Sequence, residues 1–111
     1  MSAQSDVLGE AAELGALLVA AGQSLTTAES CTGGGIAQAV TAIAGSSAWF
    51  DRGFVTYSNA AKIEMLHVAP QLIEHHGAVS EEVVKAMTLG ALALSTADWA
   101  IAVSGIAGPS G

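Results

Sequence analysis

Residues 25–35, Leu-Thr-Thr-Ala-Glu-Ser-Cys-Thr-Gly-Gly-Gly, constrain what this chain can fold into more than any other stretch. A short β-favouring run ends in Glu29, Ser30 and Cys31. Thr32 and three glycines then lead into the apolar helical spacing of Ile36, Ala39, Val40 and Ile43. The pattern predicts a strand, a tight turn and a helix, with two nucleophile-capable side chains at the turn. Amides left free at a helix start, aided by the helix dipole, favour a phosphate or a developing oxyanion. Glycine lets a ligand approach backbone that a Cβ would shield. The same glycines also suit close helix–strand packing, so the turn alone does not decide between the two uses.

At 111 residues the chain has room for one domain with a real core and not for two. Hydrophobic residues make up 51% and charged residues 12%, so much of the chain expects burial. Only 3 Lys and Arg stand against 10 Asp and Glu, which argues against nucleic-acid or anionic-membrane partners, since both need clustered cations. Any of Arg52, Lys62 or Lys85 near a site is therefore conspicuous. One cysteine permits no internal disulfide, and the dispersed acids offer no metal-ligand spacing. The start of the chain lacks a basic segment followed by an apolar one, and no apolar run approaches the ~20 residues of a membrane span. These features lead to an expectation of a cytoplasmic protein without signal peptide, metal or cofactor.

Ser5 is a possible cap for a helix from Asp6 to Ala21, with Val7, Ala11, Leu14, Leu17 and Leu18 on one face and Gly22 ending it. A strand at 24–29, a helix at 33–43, a loop at 45–47 and a strand at 50–57 follow. Asn59 is a plausible N-cap for the next helix. Pro70 and Gly77 bracket a short helix at 70–76, and Ser80 opens another that runs to about Ser95. Trp99–Val103 reads as a strand buried on both faces. Strands alternating with helices predict an α/β fold, three-layer α/β/α with a mostly parallel sheet. The glycine-rich end, residues 104–111, follows a strand and leads to no further element, so the chain reads as an incomplete single domain. An exposed sheet edge would then make the isolated chain poorly soluble and inactive.

Ligands of parallel α/β sheets gather at the carboxyl ends of the strands. Three such ends are available: Glu29-Ser30-Cys31, Tyr57-Ser58-Asn59 and Ser104-Gly105. Lys62 follows the second of them by one helical turn. Ser30, Tyr57, Lys62 and Ser104 thus converge from separate regions. A serine needs a base to become a nucleophile, and a lysine of lowered pKa can be that base. Tyr57 can orient the lysine or relay a proton. Cys31 is a rival nucleophile, although His67, His75 and His76 sit badly for partnering it and read as surface or capping groups. Glu29 can bind a substrate hydroxyl or ammonium, or satisfy the amides of the turn. A surface lysine and a strand tyrosine without function would produce the same pattern.

Several segments together resemble the C-terminal domain family of the competence- and damage-inducible protein CinA, whose stand-alone members are nicotinamide-nucleotide amidohydrolases of the PncC group. The resemblance is carried by residues 27–34, by Gly45-Ser46-Ser47-Ala48-Trp49-Phe50, by 52–59 with Lys62, by His76-Gly77-Ala78-Val79-Ser80 and by Ser104-Gly105-Ile106-Ala107-Gly108-Pro109. It implies an α/β/α domain that hydrolyses the carboxamide of nicotinamide mononucleotide to acid and ammonia without a metal. It further implies a Ser/Lys dyad, with Lys62 as base and Tyr57 assisting. The matching motifs contain both Ser30 and Ser47 as candidate nucleophiles. A straight strand over 50–57 would separate Ser47 from Tyr57 by about 20 Å at ~3.3 Å per residue, which favours Ser30, whereas a bend or a shorter strand would restore Ser47. Glu29, Thr32, Gly33, Gly34, Ser104 and Gly105 are the candidate substrate-binding residues, with amides near Gly33–Gly35 for the phosphate or oxyanion. The resemblance implies a further Lys-Pro-Val-Gly-Thr-Val strand and helices that are not in this sequence. It leaves room for a homo-oligomer. A nucleotide-binding or regulatory module without turnover, or an inactive fragment, is the alternative.

Overall fold

The polar, β-branched run before Glu29 forms the middle of the sheet. Strand β1 (Leu25–Glu29) lies between β2 (Phe50–Val55) and β3 (Trp99–Val103), in the order β2-β1-β3, and both neighbours run parallel to it. The computed structural model describes residues 3–105, with side chains described from residue 9 onward. Helices α1 (Ala3–Ala21) and α2 (Gly35–Thr41) cover one face, and α3 (Asn59–Leu66), α4 (Pro70–His76) and α5 (Glu81–Ala93) form the layer on the other. The chain steps from β1 to β2 on one side and returns across β1 to β3. Right-handed crossovers in these opposite directions put their helices on opposite faces, as observed. The fold is the expected α/β/α layering with a parallel sheet.

Alternation along β1 divides the core in two. Leu25 points to the α1–α2 side, where it joins Leu18, Val40 and Trp49, while Ala28 joins Leu66, Val68, Val83, Met87 and Ala91 under α3–α5. The α3–α5 side is held close by Gly90, where a Cβ would run into the Leu66 carbonyl.

Several expectations need correction. Helix α1 begins at Ala3, so Ser5 lies inside it, and Leu17 is exposed because it falls off the edge of the stripe made by Ala11, Leu14 and Leu18. Helix α2 starts only at Gly35, because Gly33 and Gly34 adopt φ of 59° and 100°, outside helical values. Strand β2 stops at Val55, and the cap of α3 is Ser58, whose Oγ accepts from the Ala61 amide at 3.0 Å, rather than Asn59. Helix α5 ends at Ala93 instead of Ser95, although Ser80 caps its start as expected. Among the described residues β3 lies at one edge of the sheet, with Trp99 57% and Ile101 38% exposed, in line with the expected open edge. Val7 and residues 106–111 lie outside the described side chains.

Candidate active site

Because side chains alternate along a strand, the last two residues of the β1 segment reach opposite faces. Glu29 turns toward α2 and Ser30 toward α3. Backbone bonds hold both in place: the Thr56 amide donates to the Glu29 carbonyl at 2.8 Å, and the Ser30 amide donates to the Val103 carbonyl at 3.2 Å. The pair therefore sits at the carboxyl edge of the sheet, where open α/β sheets bind ligands.

On the α3 side, Lys62 Nζ lies 3.1 Å from Ser30 Oγ and 3.2 Å from the Thr56 carbonyl. Lys62 is 2% exposed and Ser30 is 5% exposed, so the contact is shielded from bulk water. Ser58 positions the lysine: its hydroxyl caps α3, and its carbonyl accepts from the Lys62 amide one turn later. No carboxylate among the described residues lies within ion-pair distance of Lys62. Burial pushes its pKa below the usual lysine value, an effect opposed in part by the nearby Cys31 thiol group. A neutral amine there presents a lone pair to the Ser30 hydroxyl while the Thr56 carbonyl accepts one of its N–H bonds. Ser30 Oγ also approaches the Tyr57 carbonyl, at a long 3.5 Å.

On the α2 side, the Glu29 carboxylate is fully buried. It accepts from the Ile36 amide at 2.8 Å, the Ala37 amide at 2.9 Å and the Thr32 hydroxyl at 2.6 Å. Glu29 and Thr32 were expected among the substrate-binding groups; here their polar atoms meet each other and the start of α2. The anion that a helix start favours is already supplied by the protein. The glycine amides are used similarly. Gly33 donates to the Ser30 carbonyl and Gly35 to the Thr32 carbonyl, which leaves Gly34 free among those three.

The remaining candidates are distributed unevenly. Tyr57 contributes its backbone carbonyl to the Ser30 surroundings, while its side chain is 66% exposed and its hydroxyl has no partner among the described residues. Ser47 lies in a 3₁₀ turn, Ser46–Ala48, before β2. That turn abuts the amino end of β1, where the Leu25 amide donates to the Trp49 carbonyl. Five residues of β1 at ~3.3 Å each put Ser47 about 16 Å from Ser30, so the shorter β2 does not restore it. Ser104 donates to the Ala78 carbonyl at 3.0 Å, tying the end of β3 to the loop before α5. Gly105 faces Cys31, and a Cβ there would stand 3.1 Å from its sulfur. His67, with φ of 58°, terminates α3, and His75 and His76 close α4 as exposed residues. Arg52 pairs with Asp51 and Lys85 is exposed, so Lys62 is the one described cation at this edge.

Thr56 was not legible from the sequence as part of the site. Its contribution is a carbonyl, which no residue type announces, and its buried hydroxyl has no partner among the described residues. A separate cavity of about 380 Å³ opens between Ala11 and Leu14 of α1, Ile36 and Val40 of α2, and Ile101. It borders Thr32 but contains neither Ser30 nor Lys62.

Comparison with known proteins gives the family of the chain. Residues 9–111 match the family model described as the CinA C-terminal domain. The chain is 65% identical over 99 residues to the nicotinamide-nucleotide amidohydrolase PncC of Enterobacter agglomerans, covering 89% of this chain and 60% of that protein. It is 54% identical over 107 residues to the protein of that name from Escherichia coli K12, covering 96% and 65% respectively. The chain thus spans somewhat under two thirds of the length of these relatives. Among solved structures, the competence/damage inducible protein from Agrobacterium tumefaciens superimposes with a TM-score of 0.92 at 50% identity, over 96% of this chain and 64% of that one. The Escherichia coli CinA-superfamily structure gives 0.93 at 38% identity, over 100% and 64%. With the family model matched by residues 9–111 of the chain and the layered sheet shared with these structures, the chain belongs to the CinA C-terminal domain family.

Proposed function

We propose that the protein containing this chain is a cytoplasmic amidohydrolase that converts nicotinamide mononucleotide to nicotinate mononucleotide and ammonia. The observation that carries the reading is the buried 3.1 Å contact between Ser30 Oγ and Lys62 Nζ. Relatives at 54–65% identity bear the name of that activity. Neutral Lys62 takes the Ser30 proton as Oγ bonds to the carboxamide carbon. The tetrahedral intermediate collapses with cleavage of the C–N bond, and Lys62 returns the proton to the departing ammonia. Water then attacks the acyl–Ser30 ester, giving its proton to Lys62, and the acid leaves as Ser30 is reprotonated. The Cys31, Thr32 and Gly34 amides donate to no acceptor among the described residues, which suits them to the oxyanion of both intermediates. Tyr57, at the rim, is suited to contact the substrate or assist Lys62.

The test is ammonia release from nicotinamide mononucleotide by the intact natural protein. Turnover in the wild type and its loss in both Ser30→Ala and Lys62→Ala is the expected result. Lys62→Ala should lower the rate by at least ~10²-fold while the protein stays folded. A second reading is a nucleotide-binding module without turnover. It draws on a 57% identical CinA-like protein from Parasynechococcus marenigrum, of which the matched region is only 23%. Tight binding of the nucleotide with no ammonia released would favour it.

A further inference from the structure

We propose that the side chains of Glu29 and Thr32 position Ser30, acting on catalysis through the turn that carries the nucleophile and not by touching substrate themselves. The proposal rests on Ser30 being the nucleophile. Glu29 immediately precedes Ser30, so whatever fixes the Glu29 side chain fixes the backbone from which Ser30 Oγ projects. Its carboxylate spans seven and eight residues to accept from the Ile36 and Ala37 amides, and the Thr32 hydroxyl closes the loop on Oε1 at 2.6 Å. The Gly33 amide donates back to the Ser30 carbonyl at 3.2 Å, and the Ser30 amide is tied to Val103. Strand end, turn and helix start thus form one clamped unit around Ser30.

A cap for α2 does not need this arrangement. Ordinary capping is local, by a Ser, Thr, Asp or Asn immediately before the helix, yet the residue there is Gly34 with no side chain to offer. A buried carboxylate is expensive unless fully hydrogen-bonded, so its use here is better matched to placing Ser30 than to stabilising seven residues of helix. Substrate binding suits it less, because Glu29 is 0% exposed and both its oxygens are occupied. Charge-assisted bonds of this kind are short and directional, which is what holding a nucleophile requires.

The test compares Glu29→Gln, Thr32→Val and Thr32→Ser in the intact natural protein. Two readouts are used: steady-state ammonia release, and the rate at which phenylmethanesulfonyl fluoride sulfonylates Ser30, which needs no nucleotide. Glu29→Gln should lower kcat about 10²-fold, the scale of misplacing a reacting group by about 1 Å. Thr32→Val should lower it about 10-fold, the scale of one hydrogen bond to a charged group. KM should stay within about twofold, sulfonylation should slow in parallel, and the pH at which the rate rises should not move, because Lys62 is untouched. Thr32→Ser should restore the rate. A raised KM with kcat unchanged would assign these side chains to substrate binding and overturn the proposal, as would wild-type kcat in a folded Glu29→Gln protein. If Glu29→Gln fails to fold, the Thr32→Val and Thr32→Ser pair decides alone. If the wild type releases no ammonia, the assigned reaction fails but sulfonylation still decides: slower labelling in Thr32→Val supports positioning, and unchanged labelling overturns it. A wild-type Ser30 that resists the reagent overturns both.

Discussion

Strands β1 and β3 lie side by side in one parallel register, yet they are buried in the reverse order of their hydrophobicity. Every residue of β1 is buried, including Thr26, Thr27 and Glu29, whereas β3 is apolar throughout and leaves Trp99 and Ile101 exposed. Place in the sheet decides this. The central strand has helices on both faces and a strand on either side; among the described residues β3 has a strand, β1, on one side only. Two of the three polar side chains of β1 are hydrogen-bonded, while the buried Thr27 hydroxyl has no partner among the described residues. Thr26 Oγ1 donates to the Arg52 carbonyl at 2.6 Å, and Glu29 is bound by three donors. The candidate site grows from the end of the strand that is most completely held.

Substitutions at the two ends of β1 should break the comparison most sharply. Ser30→Ala at the carboxyl end should reduce ammonia release by at least ~10³-fold in the intact protein, as expected for a residue acting with its base as a unit. Ser47→Ala, near the amino end, should change kcat by less than about threefold. Equal losses would mean that the sheet edge does not define the site.

The difference between the strands should also appear in stability. Leu25→Ala in β1 removes a fully buried side chain and should cost about 2–5 kcal/mol by denaturant unfolding. Ile101→Ala in β3, which is already 38% exposed, should cost less than about 1.5 kcal/mol. The smallest effect belongs to the helix start behind the sheet. Ser80→Ala loses the hydroxyl that accepts from the Val83 amide and should cost about 1 kcal/mol, while Ser80→Asp should retain most of it.

Element types were readable from the sequence because each has a local cause: Pro70 at the start of α4, Ser80 before two glutamates, and the β-rich run at Phe50–Val55. Boundaries were less so. A positive φ at Gly33 and Gly34 shortens α2, and hydroxyl capping by Ser58 in place of Asn59 moves the start of α3, and both depend on three-dimensional fit. The strand ends that bring Ser30 and Lys62 together were legible from the parallel α/β pattern. The role of the Thr56 carbonyl was not, nor was the choice of Glu29 between substrate and turn amides, because strand alternation fixes it only once the helices have faces.

The central claim is that buried Lys62, with its pKa lowered by burial, is the base for Ser30, and the pH dependence of kcat/KM for ammonia release tests it most directly. Burial lowers the lysine pKa from its ordinary 10.5. The neutral, active form therefore accumulates as pH rises, and the rate should climb through a midpoint below that value. In Lys62→Ala this rising limb should vanish and the residual rate should fall by at least ~10²-fold. A Lys62→Ala protein that keeps both the limb and a near-wild-type rate would contradict the account.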